Sequence, residues 1–374
     1  MANIFSDLFS TITKPFNALF NKTGGSTSFV GVDIGSSSIK LVQLKNNRGT
    51  IALETYGEVA LGPYMEQPIG TAVNATPEII ARAMRDIITE AHITSTQYIT
   101  GLPSSGVLLF TLTLPKISEQ NLAEVIGHEA HKYIPIPMTE ISLDWFKIPS
   151  RETYADELSG NTVTTIDVLI VAMRNDVLAT YDTYTKQLGQ IKPVYEVEIF
   201  STIRSGLHHE ISPVMIIDIG AKSTRIAVIE YGIVRVFHTV NRGGIGITES
   251  IMRNFEIPFE KAETIKRSYA ENHPELAQYK PLLDTGYDQI IAEAKQTMID
   301  YERTSGKSIT KIILSGGGSL YIGLPDLVYT AFSLPTELLS SFEKTEYPEF
   351  LGDILKKSGP TFGVATGLAL KELI

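Results

Sequence analysis

Apolar runs that are interrupted by a short polar turn form the clearest pattern along the chain. Segment 29–44 reads as an apolar strand, the turn Asp33-Ile34-Gly35-Ser36 and a second strand of alternating apolar and polar residues, which predicts a β-hairpin. Segment 214–229 repeats this order around Asp218-Ile219-Gly220, about 185 residues later. Solenoid repeats recur every ~20–50 residues, so a repeat at this distance indicates two homologous halves.

Helical and strand patterns alternate between these two hairpins. Ser118 is a candidate N-cap, and Pro135 and Pro137 are expected to stop the helix that follows it. The order strand-helix-strand-strand-helix predicts a compact subdomain, with the polar stretch 150–162 as a loop. The predicted helices are 77–91, 118–133 and 175–189, and the predicted strands are 97–101, 107–114, 141–148 and 164–172.

The second half is richer in helices. One long helix is predicted over 248–271 and another over 286–305, followed by a strand that opens into the turn Gly316-Gly317-Gly318. Segment 359–370 predicts a final helix of small residues that could pack closely on a neighbour.

The first 22 residues have apolar side chains at steps of three and four, four of them Phe, which is typical of an amphipathic helix. Pro15 is expected to kink or split it, and 23–28 reads as a linker. The segment lacks the features of a signal peptide. Packing on its own domain, lying peripherally in a membrane interface and docking on a partner all stay open.

Composition then narrows the class of protein. The 374 residues carry a formal net charge of −10, which argues against sequence-independent nucleic-acid binding, so no nucleic-acid partner is expected. The chain has no Cys, which excludes disulfides and thiolate sites and fits a reducing compartment. It also has no apolar run of about 18 residues, so we expect a cytoplasmic, multi-lobed globular protein that does not itself cross a membrane.

Two Asp-x-Gly turns that face each other across a cleft would form a clamp for nucleotide phosphates. Their backbone N–H groups can form anion-binding nests, and Ser or Thr hydroxyls add donors. Lys40 could reach a phosphate, and the third glycine turn could lie against a nucleoside. The candidate phosphate- and nucleoside-binding residues are Gly35, Ser36, Ser37, Ser38, Lys40, Gly220, Ala221, Lys222, Ser223, Thr224, Gly316, Gly317 and Gly318.

Asp33 and Asp218 end the first strand of each hairpin and are the candidate Mg²⁺ ligands. We expect them to hold the ion largely through water, since Mg²⁺ keeps much of its hydration shell.

Three other motifs are rejected. Segment 305–308 imitates the end of a P-loop, but Tyr301 stands where the earlier glycine would be needed. His128 and His131 are one residue too close for a zinc-protease motif and are interpreted as part of a solvated helix face. Segment 241–246 lacks the full dinucleotide-binding fingerprint and is interpreted as a turn before a helix.

Residues 28–374 resemble the actin-like ATPase superfamily, and within it the PilM family of type IV pilus assembly, followed by the FtsA family of cell division. The resemblance is carried by both hairpin turns and by four further motifs, Leu102-Pro103-Ser104-Ser105, Tyr133-Ile134-Pro135-Ile136-Pro137, Asp144-Trp145 and Ala262-Glu263-Thr264-Ile265-Lys266. It implies an α/β, ribonuclease H-like fold of two lobes, with duplicated βα domains and an inserted small α+β subdomain.

The resemblance also implies boundaries. The first lobe would comprise 29–105, 184–211 and 356–374, with the subdomain 106–183 inserted in it. The second lobe would comprise 212–250 and 308–355, with a helical subdomain at 251–307.

Further site residues follow from the resemblance. Glu263 and Lys266 would lie around the ribose and adenine of ATP, and Gly244 is a further candidate cofactor-binding residue. Glu198 would lie near the γ-phosphate as a candidate catalytic residue. At position 196 this chain has Glu where the family usually has Asp.

The implied function is an ATP-binding scaffold at the inner face of the cytoplasmic membrane, with slow hydrolysis at most. It would bind Mg-ATP and recruit the cytoplasmic tail of an inner-membrane pilus protein of the PilN kind, with self-association possible. The alternatives are an FtsA-like cell-division filament and membrane anchor, or a small-molecule kinase with Glu198 as its base.

Overall fold

A computed structural model describes residues 28–115, 117–148, 165–187, 189, 193–208, 210–268 and 274–374. The predicted helix at 1–22, the predicted linker at 23–28 except its last residue, and the predicted loop at 150–162 lie outside these residues. The strands are β1 (Ser28–Ile34), β2 (Ser38–Asn47), β3 (Thr50–Ala60), β4 (Tyr98–Leu102), β5 (Val107–Pro115), β6 (Ile141–Lys147), β7 (Thr165–Arg174), β8 (Val194–Val197), β9 (Val214–Ile219), β10 (Thr224–Glu230), β11 (Ile233–Val240), β12 (Lys311–Ser315) and β13 (Thr336–Leu338).

The helices alternate with these strands along the chain. They are α1 (Pro77–Glu90), α2 (Glu119–Ala130), α3 (Asn175–Gln187), α4 (Glu198–Gly206), α5 (Gly244–Phe255), α6 (Phe259–Ser268), α7 (Lys280–Ser305), α8 (Leu324–Phe332), α9 (Gly352–Ser358) and α10 (Gly363–Leu370). No helix in the described part of the chain is both long enough and apolar enough to span a membrane.

Two five-stranded sheets share one topology. The first has the order β3-β2-β1-β4-β8 and the second the order β11-β10-β9-β12-β13. In each sheet three consecutive strands, beginning with the repeated hairpin, pair antiparallel, and two later strands are added in parallel. The repeated hairpin of the sequence is therefore the start of a repeated sheet.

A third sheet, with the order β5-β7-β6, lies between β4 and β8 in the chain. Helices α2 and α3 accompany it, and the predicted order strand-helix-strand-strand-helix is confirmed. Its apolar face has its own core, in which Leu122 and Ile126 of α2 pack against Val168 and Ile170 of β7.

The single long helix predicted over 248–271 is wrong, because the chain forms α5 and α6 there. Glu256 adopts a left-handed conformation with φ of 52°, which ends α5. Pro258 follows before α6 begins, and it has no N–H to continue a helix. The next helix was predicted from 286 and begins earlier, at Lys280.

The final helix, α10, packs against the first lobe at backbone distance. A Cβ on Gly31 would lie 1.8 Å from the carbonyl oxygen of Ala365, and a Cβ on Gly367 would lie 1.8 Å from that of Ser201. Only glycine permits such an approach. The prediction that small residues let this helix pack closely is confirmed, and α10 fixes β1 relative to α4 beneath the cleft.

Candidate functional site

A cleft of about 440 Å³ lies between the two repeated sheets, a size suited to a small-molecule ligand. Both hairpin turns, the glycine turn after β12 and helix α6 line it. Nearly all of the candidate residues meet here, namely Asp33, Gly35, Ser36, Ser37, Ser38, Lys40, Glu198, Asp218, Gly220, Ala221, Lys222, Ser223, Gly244, Glu263, Lys266, Gly316, Gly317 and Gly318.

Thr224 is the exception among the candidates. It is fully buried, it is absent from the cleft lining, and its hydroxyl donates to the carbonyl oxygen of Arg242 at 2.8 Å. The sequence predicts a phosphate donor at this position, but the side chain of Thr224, the first residue of β10, turns into the hairpin and ties it to the segment before α5.

The two hairpin turns have the same internal hydrogen bond. Gly35 N–H donates to the carbonyl of Ser38, and Gly220 N–H donates to the carbonyl of Ser223, each at 3.0 Å. The hydrogen-bonded duplicate turns thus face one cleft from opposite lobes.

The second turn is also tied to α5. The N–H groups of Gly244 and Ile245 donate to the carbonyls of Gly220 and Ala221 at 2.9 and 3.0 Å. Segment 241–246, rejected above as a dinucleotide fingerprint, therefore leads directly into α5 and supports the turn.

The register of each hairpin places an aspartate opposite a cation. Asp33 faces Lys40 across β1 and β2, and Asp218 faces Arg225 across β9 and β10. Lys40 turns to other partners, because its ammonium donates to Ser38 Oγ at 2.9 Å and lies 3.4 Å from Glu58.

Arg225 instead joins carboxylates from both lobes. Its Nη2 lies 3.0 Å from Glu198 Oε2, and its Nη1 lies 3.3 Å from Asp218 Oδ2. The backbone N–H of Ser104 donates to the same Glu198 oxygen at 3.2 Å. Glu198 was predicted for this site, whereas Arg225 was missed.

Burial and charge shift two pKa values here. Burial raises the pKa of Asp33 to about 7, with Lys40 opposing the rise and Glu198 adding to it. Burial disfavours the charge of Arg225, yet Glu198 and Asp218 outweigh it and raise the pKa of the guanidinium above its usual value. Arg225 is therefore a permanent cation in the cleft.

Helix α6 contributes a second ionic group. Glu263 Oε2 lies 2.6 Å from the Lys266 ammonium and accepts from Thr248 Oγ1 at 2.6 Å. Lys266 also donates to the carbonyl of Gly244 at 3.1 Å. A Cβ on Gly70 would lie 2.6 Å from Glu263, so the segment between β3 and α1 closes tightly on this group.

Two tyrosines that sequence reasoning missed line the cleft next to the glycine turn. The rings of Tyr287 and Tyr321 stack with centroids 5.4 Å apart, and Tyr287 donates to the carbonyl of Gly318 at 2.8 Å. Tyr321 follows the glycine turn closely in the sequence, and this proximity was the sequence signal that could have identified it.

Gly316 has a φ of +82°, and a Cβ there would lie 2.6 Å from Asp218 Oδ1, so the backbone approaches this carboxylate closely.

The charges in the cleft suit an anion that is accompanied by a metal ion. Its cations are Lys40, Lys222, Arg225, Lys266 and Arg267, and its acids are Asp33, Glu58, Glu198, Asp218 and Glu263. No three acidic or histidine side chains of the described residues are grouped to hold a metal by themselves. A Mg²⁺ ion here would need phosphate and water as further ligands, which is its usual coordination in nucleotide sites.

Comparison with known proteins assigns nearly the whole chain to one family. The model of the family described as "Type IV pilus assembly protein PilM" matches residues 31–373. A solved "PilM-PilN type IV pilus biogenesis complex" is similar at 22% identity, covering 92% of this chain and 98% of that one, with a TM-score of 0.75.

A second solved structure, the ethanolamine utilization protein EutJ from Carboxydothermus hydrogenoformans, is similar at 15% identity with a TM-score of 0.53. That match covers 94% of this chain and 92% of the other. The two-lobed actin-like ATPase fold predicted from the sequence is confirmed.

Proposed function

We propose a function from one premise: this chain belongs to the family of the type IV pilus assembly protein PilM. We propose that it binds ATP with Mg²⁺ between its lobes and acts as a scaffold that recruits the cytoplasmic tail of a PilN-like inner-membrane protein. The family match favours pilus assembly over the cell-division and kinase alternatives.

One observation carries the ATP-binding part, namely the pair of duplicate turns that face a single cleft. Each turn offers backbone N–H groups and hydroxyls to an anion, and each is preceded by an aspartate, Asp33 or Asp218. Hard carboxylate oxygens are ligands that Mg²⁺ accepts. Lys222 donates to Asn74 of the segment between β3 and α1 at 2.9 Å, so a ligand there would be enclosed by both lobes.

Calorimetric titration of the full chain with ATP and MgCl₂ tests this assignment. Asp218→Ala should weaken Mg-ATP binding by tenfold or more, on the order of the ~1.4 kcal/mol lost with one ionic ligand. The variant should keep the circular dichroism spectrum of the wild type and should still unfold cooperatively. The matched control is Asp326→Ala, since this exposed aspartate in the first turn of α8 lies outside the cleft lining. Unchanged affinity in Asp218→Ala would show that the cleft assignment is wrong.

The partner is the finer part of the proposal. The similar solved structure is described as a complex of PilM with PilN, and we propose a tail of that kind as the ligand of this chain. A synthetic peptide of the cytoplasmic tail of the neighbouring inner-membrane pilus protein should bind the ATP-loaded full chain. A scrambled peptide is the control, and equal retention of both peptides would refute the proposal.

We also propose that the protein lies peripherally at the inner face of the cytoplasmic membrane. The net positive, Phe-rich segment 1–22 supports this assignment, although its placement lies outside the described residues. In liposome flotation the full chain should rise with anionic vesicles, and deletion of 1–22 should abolish this. Flotation of both forms would exclude the segment as the anchor.

Two further expectations from the sequence stay predictions, namely that ATP is hydrolysed slowly at most and that the protein can associate with itself.

A further inference from the structure

Arg225 links carboxylates that come from different lobes. Asp218 lies one residue before the end of β9 in the second sheet, whereas Glu198 begins α4 next to the first sheet. The guanidinium reaches both, at 3.3 and 3.0 Å. The side chain is only 18% exposed, so the contact is shielded from bulk water.

The guanidinium is incompletely satisfied. Its Nε is buried and has no hydrogen-bond partner among the described residues, and the contact with Asp218 is long for an ionic hydrogen bond, which is usually ~2.7–2.9 Å. A buried guanidinium N–H without a partner is costly. Arg225 is thus held mainly by charge, in an arrangement that a better anionic ligand could displace.

The negative charge around it needs a cation. Asp33, Glu198 and Asp218 all act on the charge of Arg225. Lys40, the other nearby cation, is engaged with Ser38 and Glu58. Without Arg225, Glu198 and Asp218 would face each other across the cleft with no cation between them, and two close carboxylates repel strongly in a partly buried site.

We propose that Arg225 is a resident cation that takes the place of the metal ion while the cleft holds no nucleotide. It neutralises Glu198 and Asp218 and keeps the lobes together, and it gives up Asp218 when Mg²⁺ enters with the phosphates. Nucleotide binding is then an exchange of one cation for another. The inference rests on the proposed function, because it assumes that Asp218 is used by Mg-ATP.

The proposal predicts that the stability of the nucleotide-free protein depends on Mg²⁺ only when Arg225 is removed. With Arg225 in place, Glu198 and Asp218 are already compensated, so Mg²⁺ alone should change the melting temperature of the nucleotide-free protein very little. In Arg225→Gln the carboxylates lose their cation. This variant should melt several degrees lower in chelator, and millimolar MgCl₂ alone should recover much of the loss by binding the folded state.

The experiment is differential scanning fluorimetry of the full-length variants without nucleotide, in chelator and in MgCl₂. Arg225→Lys keeps the charge and should respond like the wild type. Arg235→Gln is the matched control, because Arg235 has a similar exposure of 22% and pairs with the buried Glu230 at 3.2 Å outside the cleft. It should melt lower without any recovery in MgCl₂.

Isothermal titration with MgCl₂ alone gives a second readout. We expect Arg225→Gln to bind Mg²⁺ at least about tenfold more tightly than the wild type, since one like charge fewer faces the ion. Equal Mg²⁺ affinity and equal melting shifts in both proteins would overturn the proposal. So would recovery of Arg235→Gln to the same extent, because the effect would then be unspecific.

If Arg225→Gln does not fold in chelator, it should fold when it is refolded in MgCl₂. The charge-balanced variant Arg225→Gln/Glu198→Gln is the control and should fold in both buffers. If this control folds in both buffers while Arg225→Gln fails to fold in MgCl₂, the proposed exchange of Arg225 for Mg²⁺ is overturned. ATP titration of the wild type is run in parallel. If the wild type does not bind Mg-ATP while Arg225→Gln still gains Mg²⁺ affinity, the proposed function fails and the resident-cation role stands.

Discussion

Two glutamates that are two residues apart, Glu196 and Glu198, serve different purposes. Glu196 ends up 1% exposed in an ionic cluster next to the final helix. It accepts from Arg204 at 2.5 and 2.6 Å, from Ser201 at 2.5 Å and from Lys371 at 3.2 Å. Glu198, at the first position of α4, lies at the cleft and meets Arg225 and the N–H of Ser104.

The ionic cluster around Glu196 is closed, in the sense that its charged groups are fully paired, whereas the cluster of Arg225 with Glu198 and Asp218 is open, because its pairing is incomplete. In the Glu196 cluster a bidentate arginine and an ammonium satisfy both oxygens, and no ligand could improve on them. In the cleft, Arg225 has one long contact and one buried N–H without a partner in the described chain. Complete satisfaction marks a structural cluster, whereas incomplete satisfaction at a cleft marks one that can exchange partners.

The comparison also bears on Glu196 itself, at a position where the family resemblance leads us to expect Asp. That side chain is absent from the cleft lining, while Glu198 belongs to it. Glu196 connects β8 to α4 through Arg204 and to the end of the chain through Lys371. We interpret it as a structural residue.

The largest predicted effect is on the closed cluster. Glu196→Gln leaves Arg204 and Lys371 buried without an anion, which typically costs about 3–5 kcal/mol. The free energy of unfolding in urea should fall by that amount. Glu249→Gln is the control, because its pair with Arg253 is exposed and should contribute little. If both variants lost a similar free energy of unfolding, the buried Glu196 cluster would contribute no more to stability than an exposed ion pair, and the prediction would be wrong.

A pH titration sharpens the same comparison. Burial would raise the pKa of Glu196, but Arg204 and Lys371 outweigh it and lower the value to about 2, from 4.5 in the unfolded chain. The native state thus binds fewer protons between these values, so the stabilisation is present above pH 4.5 and is lost as the pH falls towards 2. The shift corresponds to about 3 kcal/mol.

The measurement is the difference in unfolding free energy between the wild type and Glu196→Gln as the pH is lowered from 6. This difference should shrink by most of its value below pH 4.5. A difference that stays constant down to the acid limit of folding would show that the carboxylate charge of Glu196 contributes nothing.

The smallest predicted effect separates the two arginines. Arg204→Gln should lose about 2 kcal/mol, because Glu196 keeps Lys371 and Ser201 as donors. MgCl₂ should not restore this loss, in contrast to Arg225→Gln, since Mg²⁺ cannot reach a closed cluster. Chemical unfolding with and without MgCl₂ measures it, and Mg²⁺ recovery in Arg204→Gln would contradict the division into closed and open clusters.

Much of the candidate site was accessible from the sequence because glycines, serines and aspartates fell at fixed places after apolar strands. Thr224 does not follow this pattern, because its hydroxyl, although it lies in the second turn, points inwards to the carbonyl oxygen of Arg242. Arg225 was missed although it stands seven residues after Asp218, as Lys40 stands seven after Asp33. The hairpin register makes both pairs cross-strand neighbours.

The sequence by itself determined the duplicated hairpins, the turn residues and the order of elements in the inserted subdomain, because these depend on local alternation and on residues such as Gly35 and Gly220. Only the tertiary structure decided which carboxylates each cation meets. Lys40 finds Glu58 on the neighbouring strand, whereas Arg225 finds Glu198 on the other lobe. Long-range packing places Glu198 within reach of Arg225 across the cleft, and no local sequence pattern determines the distance between these two side chains.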